Sequence, residues 1–162
     1  MASNLKNLSD FSHLEIQNGA QLKFAIVVSQ WNSQVTGALL SGAVDGLLQN
    51  GALESDIKVI HVPGSFELTS GADIVLRDQS LDAVICLGCV IQGETKHFDF
   101  ICHGVSNGIS NVAIKYNKPV IFGVLTTDTL EQALDRAGGK HGNKGEEAAI
   151  TAIQMAHIHK SN

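Results

Sequence analysis

LGCVIQGETKHFDF, residues 87–100, contains the transition on which the fold turns. Apolar residues up to Ile91 read as a buried strand, and Gln92-Gly93 ends it abruptly. A carboxylate (Glu94), a hydroxyl (Thr95), an ammonium (Lys96) and an imidazole (His97) follow in direct succession, after which the pattern becomes helical. A strand that stops and passes reactive side chains to the start of a helix is where α/β proteins place ligands. Glycine at the break lets the backbone turn sharply or approach a ligand closely.

The same alternation extends in both directions. Residues 24–28 (FAIVV) form a strand, followed by a helix opening near Asn32. That helix carries Val35, Leu39, Leu40, Ala43, Val44, Leu47 and Leu48 at helical spacing, with Gly51 as its stop. Residues 57–62 give a second strand, Pro63-Gly64 turns the chain, and 66–76 reads as a helix. The third strand spans 83–91, and a long helix covers 98–116. A fourth strand at 120–125, a short helix at 129–137 and a final helix at 145–159 complete the pattern. Between the last two helices lies a basic, glycine-rich link, GGKHGNKG (138–145).

Strands apolar on both faces and joined through helices imply a parallel sheet covered on each side. Right-handed crossovers favour a doubly wound, flavodoxin-like three-layer α/β sandwich: a four-stranded parallel sheet with helices on both faces. Residues 1–22 fall outside this rhythm and read as an N-terminal arm, with Leu14-Glu15-Ile16 as a short extended piece that pairs with a neighbour or wraps the domain. Residues 23–162 form a single domain.

At 162 residues the chain can bury a core without metal or disulfide staples, and 44% hydrophobic residues with 17% charged ones exclude disorder. Sixteen acidic against eleven basic residues leave a net charge of −5, which argues against nucleic acid or anionic membrane as a partner. Any anionic substrate must be held by a local cluster of positive groups. Three cysteines and no basic-then-apolar leader set the expectation of a reducing, cytoplasmic setting. Cys86 and Cys89 form a C-x-x-C pattern, but residues three apart on a strand face opposite sides of the sheet, so buried thiols fit better than a metal pair. His157 and His159, near the end, read as solvated.

Polar residues gather where the strands end. Ser29-Gln30-Trp31-Asn32, then Pro63-Gly64-Ser65-Phe66-Glu67, then the 92–97 run, then Thr126-Thr127-Asp128 all fall on one rim of an open parallel sheet. Trp31 is either a buried anchor or a stacking platform. Glu67 caps a helix or binds a ligand. His97 alone among the histidines follows a glycine turn directly after a central strand, which suits proton transfer. Arg136, Lys140 and Lys144 concentrate positive charge around the glycine-rich link. That link lacks the Gly-Lys-Ser/Thr of a nucleotide-triphosphate loop, so the cluster points to a small phosphorylated ligand.

From Trp31 to the final helix the chain resembles the lumazine synthase family. VPGSFEL (62–68), LGCVIQGETKHFDF, FGVLTTDT (122–129) and EQALDRAGGKHGNKGEEAA (131–149) carry the likeness. The resemblance implies a transferase of riboflavin biosynthesis. Such an enzyme condenses 5-amino-6-(D-ribitylamino)uracil with 3,4-dihydroxy-2-butanone 4-phosphate to give 6,7-dimethyl-8-ribityllumazine, phosphate and water, with no metal or organic cofactor. The other readings on this scaffold are a non-catalytic flavin or lumazine carrier and a shell protein.

Carried over position by position, the resemblance implies that Trp31 stacks on the pyrimidine and that Ser65, Phe66 and Glu67 hold the ribityl chain. Cys89, Val90 and Ile91 contact the ring through their backbone. Glu94 and Thr95 bind the butanone phosphate, and His97 transfers protons. Phe122 lines the pyrimidine side, and Arg136 grips the phosphate with help from Lys144. The resemblance also implies a pentamer whose sites lie between neighbouring subunits, with Phe122 and Arg136 donated across the interface. Some members assemble twelve pentamers into an icosahedral shell, and the uninterrupted GGKHGNKG link leans this chain the same way. Three positions depart from the commoner pattern: Gln92 stands where arginine is frequent, Thr69 where proline is frequent, and Trp31 where many members have phenylalanine.

Overall fold

A computed structural model describes residues 10–11 and 15–162. Four parallel strands, β1 (Phe24–Ser29), β2 (Ile57–Val62), β3 (Ala83–Ile91) and β4 (Val120–Thr127), form one sheet in the order β2-β1-β3-β4. The intervening helices are α1 (Ser33–Gln49), α2 (Leu68–Val75), α3 (His97–Tyr116), α4 (Leu130–Asp135) and α5 (Lys144–Ser161). This is the doubly wound three-layer sandwich expected from the sequence. Leu14 and most of the expected arm lie outside the described residues. Ahead of β1, Gly19 N–H donates to Asn50 O at 2.7 Å, and Leu22 is buried.

Alternation along each strand separates two cores. Phe24, Ile26, Val28, Ile85, Leu87 and Cys89 face α1 and α5, packing with Leu39, Ala43, Leu47 and Ile153. Ala25, Val27, Val84, Cys86 and Val124 face α2 and α3, packing with Leu68, Ala72, Val105 and Ile109. Cys86 and Cys89 therefore lie on opposite faces, both as free thiols. Burial alone pushes their pKa values up to about 12 and about 11.

The α1–α5 contact is unusually close. A Cβ on Gly145 would stand 1.9 Å from Leu39 O, so only glycine permits this crossing. Asn143 locks it from the side. Its Nδ2 donates to Ala38 O at 3.0 Å, while its Oδ1 accepts from Gly145 N–H at 2.8 Å and caps α5.

Several boundaries differ from the sequence reading. The helix expected over 66–76 opens instead as a 3-10 turn at Ser65–Glu67 and becomes α2 only at Leu68. The strand expected to end at Leu125 continues through Thr126 and Thr127, which pair with Val90 and Ile91. The glycine-rich link is not a loose loop. Its residues form a small antiparallel ladder, β5 (Ala137–Gly139) with β6 (Gly142–Asn143).

The chain steps outward from β1 to β2 and then crosses to β3 on the other side of β1. The strand order therefore reverses between β1 and β3. A ligand crevice is expected at the carboxyl ends of those two strands.

Candidate active site

At that reversal two loops converge on one backbone carbonyl of β3. Cys89 O accepts from Asn32 Nδ2 at 3.0 Å and, more weakly, from Ser65 Oγ at 3.4 Å. The loop after β1 is thereby tied to β3, and so is the loop after β2. The two loops are also tied to each other, since Gln30 N–H donates to Val62 O at 2.9 Å and Trp31 N–H to Pro63 O at 3.2 Å.

Trp31 lies across Gly64. A Cβ there would sit 2.9 Å from Trp31 Cε3 and 3.0 Å from Glu67 Oε2, so the indole and the carboxylate share the space glycine leaves open. Trp31 is 68% exposed, which excludes the buried-anchor reading and leaves its ring available for stacking. Glu67 accepts from Gly64 N–H at 3.0 Å, so it does cap its turn. A carboxylate offers about four acceptor positions, which leaves capacity for ligand hydroxyls. Phe66 is exposed, with its ring against the backbone of α3 at Gly104.

Beyond Ile91 the chain runs over the rim. Gln92 N–H donates to Thr127 O at 2.8 Å, Glu94 and Thr95 are exposed, and His97 N–H donates to Thr95 Oγ1 at 3.3 Å as α3 begins. The first amides of an α-helix lack partners within the helix, so the start of α3 is a favourable setting for an anion. Because all four strands are parallel, His97, at the head of α3 after β3, falls on the same rim of the sheet as the Trp31–Glu67 group.

Residues 21–160 match the model of the 6,7-dimethyl-8-ribityllumazine synthase family. The chain belongs to that family. It is 59% identical to the 6,7-dimethyl-8-ribityllumazine synthase of Cytophaga hutchinsonii over 155 residues, covering 96% of this chain and 97% of that protein. The protein of the same name from Flavobacterium johnsoniae is 51% identical over 98% of this chain and 83% of its own length. That from Porphyromonas gingivalis is 48% identical over 99% of both.

The remaining candidates of this lumazine synthase chain stand apart from the Trp31 group. Arg136 closes α4 on the β4 flank, in a polar cavity of about 360 Å³ shared with Thr126, Thr127, Gln132, Asp135, Lys140 and His141. Phe122, 37% exposed, faces a different groove of about 960 Å³ along β4 and α5, which Lys144 also lines. The three basic groups near the glycine-rich link are not equivalent. Lys140 Nζ pairs with Asp135 at 2.7 Å and Lys144 Nζ with Glu147 at 3.0 Å. Among the described residues no carboxylate pairs with the Arg136 guanidinium, which leaves it the cation best placed to take an external anion.

Asn32 is the residue that sequence reasoning left out of the site. Its local signal was weak: a polar residue after the only tryptophan, with no hint that its partner lay 57 positions away.

Proposed function

We propose that this chain condenses 5-amino-6-(D-ribitylamino)uracil with 3,4-dihydroxy-2-butanone 4-phosphate, yielding 6,7-dimethyl-8-ribityllumazine, phosphate and water. The observation that carries this reading is the identity of 59% along 96% of the chain with a protein named for that product. The exposed Trp31 beside the Glu67 carboxylate, at the carboxyl ends of β1 and β2, supports it, since such a pair suits a flat ring bearing a polyol.

The assigned roles follow the chemistry. Trp31 stacks on the pyrimidine, the backbone of Cys89, Val90 and Ile91 meets its edge, and Ser65, Phe66 and Glu67 hold the ribityl chain. Glu94, Thr95 and Arg136 take the phosphate. The ring amine adds to the ketone and loses water to give an imine. Elimination of phosphate and an enol-to-keto shift follow, and attack of the ribitylamino nitrogen on the new carbonyl closes the ring and expels a second water. Each step moves protons between nitrogen, carbon and oxygen, and His97 is the proton-transfer group. Positioning and proton transfer suffice for such a sequence.

In one chain Arg136 and Phe122 lie on the β4 side, whereas Trp31 and Glu67 lie on the β1–β2 side. This separation supports a site completed by a neighbouring copy, which donates Phe122, Arg136 and Lys144. The pentamer, its assembly into a shell and the cytoplasmic setting belong to the same proposal.

Mixing the two substrates and following lumazine absorbance tests the reaction. His97→Asn is expected to slow turnover by about 10²–10⁴-fold, the range of a general acid–base group. Ligand binding without turnover by the parent chain would refute the enzymatic reading and leave a carrier. Sedimentation distinguishes monomer, pentamer and shell.

A further inference from the structure

Asn32 occupies left-handed backbone, with φ 58° and ψ 44°, immediately before α1. Asparagine tolerates this region better than most side chains. Its position before a helix suggests a cap, yet its side chain makes no capping bond to α1. The carboxamide turns the other way, across the crevice to Cys89 O.

The reason lies in how the sheet ends. Residues of a parallel strand direct their N–H and C=O groups to alternate neighbours. Val84 N–H goes to Pro119 O and Gln92 N–H to Thr127 O, so even-numbered residues of β3 face β4 and odd-numbered ones face β1. The carbonyl of Cys89 therefore faces β1. Pairing between β1 and β3 stops at Val28 and Leu87, and Cys89 is only 3% exposed. In a continued strand the N–H of Trp31 would reach that carbonyl. Trp31 N–H instead goes to Pro63 O, because the chain has turned away to place the indole over Gly64. A buried carbonyl left without a donor is costly. Asn32 Nδ2 supplies the donor that the departing strand removed.

We propose that Asn32 is a positioning residue for ring binding. Its carboxamide replaces a missing strand amide, and so holds the indole of Trp31 and the free edge of β3 at Cys89–Ile91 in a fixed relation. This deepens the reading above, and rests on it, because those two surfaces are the ones assigned to the pyrimidine. Ser65 Oγ, at 3.4 Å from the same carbonyl, is too distant to take over the work.

Two variants of the full chain separate geometry from fold. Asn32→Gly keeps the left-handed turn and deletes the strut. Asn32→Asp keeps the shape but sets an acceptor against the Cys89 carbonyl. The readouts are the Michaelis constant for the pyrimidine against that for the butanone phosphate, the melting temperature, and the fluorescence anisotropy of Trp31, the only tryptophan. The expected result for Asn32→Gly is a pyrimidine Michaelis constant raised about tenfold, the size of one lost hydrogen bond. The butanone phosphate constant should change less than about threefold, and the indole should become more mobile. Asn32→Asp should be worse than Asn32→Gly on the pyrimidine constant.

A folded Asn32→Gly chain with parental pyrimidine constant and parental anisotropy overturns the strut. Equal losses for both substrates overturn it as well, because they signal general damage. If the pyrimidine leaves the emission of parental Trp31 unmoved, the stacking assignment is what fails.

Discussion

Gly64→Ala isolates the contact between the indole and the turn beneath it. The backbone of Gly64 has φ −134° and ψ 177°, extended geometry that alanine adopts freely, so any effect comes from the added methyl. That methyl would lie 2.9 Å from Trp31 Cε3, 3.0 Å from Cζ3 and 3.0 Å from Glu67 Oε2. Carbon atoms pack comfortably at about 3.5–4.0 Å, so the ring must retreat by roughly 0.6–1.1 Å. Trp31 is 68% exposed and can move outward with little loss of packing. Stability should therefore fall by less than about 1 kcal/mol, below the usual 1–3 kcal/mol for overpacking a closed core. Function should suffer more. A misplacement of about 1 Å costs up to roughly 10²-fold where a substrate must be held in a near-attack geometry. The expected outcome is a folded protein with a melting temperature within a few degrees of the parent and a shifted Trp31 emission. The pyrimidine Michaelis constant should rise about 10- to 100-fold, in a steady-state assay following lumazine absorbance. Unchanged emission and an unchanged pyrimidine constant would refute the claim that Gly64 sets the height of the stacking surface.

Arg136→Ala should raise the Michaelis constant for the butanone phosphate about 10- to 100-fold, as expected for a charge-assisted bond. Lys140→Ala should change it less than about threefold, because its ammonium is already paired with Asp135; equal effects would refute the distinction. Gly145→Ala forces a methyl to 1.9 Å from Leu39 O across the α1–α5 crossing. A loss of about 3 kcal/mol or more, and a melting temperature lower by roughly 6–12 °C, is expected by calorimetry; a shift under about 2 °C would contradict the packing. Cys86 and Cys89 stay protonated in the fold up to about 12 and about 11, whereas unfolded thiols ionise near about 8.5. Above that pH the unfolded state binds fewer protons than the native state, so stability falls as pH rises. The urea midpoint should drop between about pH 8 and pH 10, and drop less in the Cys86→Ala/Cys89→Ala chain; equal slopes would refute the assignment.

Most of the sheet was legible because β1 and the first seven residues of β3 are buried on both faces, which leaves an uninterrupted apolar run. β2 breaks its apolar run with Lys58 and His61, as suits an edge strand, and Lys58, Val59 and His61 are exposed in the single chain. The end of β4 was missed because Thr126 and Thr127 carry no apolar signal, although their backbone pairing with Val90 and Ile91 is regular. The ladder after Arg136 depends on Asn143, which holds Ala38 from 105 positions away, so no local window contains its cause. Asn32 is the same case within the site. The residue types of the rim could be read directly, since strand ends collect ligand groups. The bonds that aim them could not, because each joins segments that only the fold brings together.

The division of labour among the basic residues bears on how an acidic protein can bind a phosphorylated ketone at all. A net charge of −5 disfavours anions at long range, so attraction must come from groups that are locally unneutralised. Two of the three cations near the glycine-rich link are consumed by Asp135 and Glu147, and their distances of 2.7 and 3.0 Å leave little field for a third party. Gln92 adds no charge at the position where the resemblance expects arginine. What is left is the Arg136 guanidinium on one side and, on the other, the start of α3, where the Lys96 ammonium, unpaired among the described residues, joins the opening amides. Neither is strong alone in water. They become effective only when water is excluded from both at once. In the single chain Arg136 sits on the flank of β4, while the amides sit above β3. Closure by a neighbouring copy would therefore do two things in one step, bringing the guanidinium opposite the helix start and removing the solvent that screens it. In the proposed assembly phosphate affinity would be a property of the interface rather than of either surface, and a dissociated chain is expected to hold phosphate weakly.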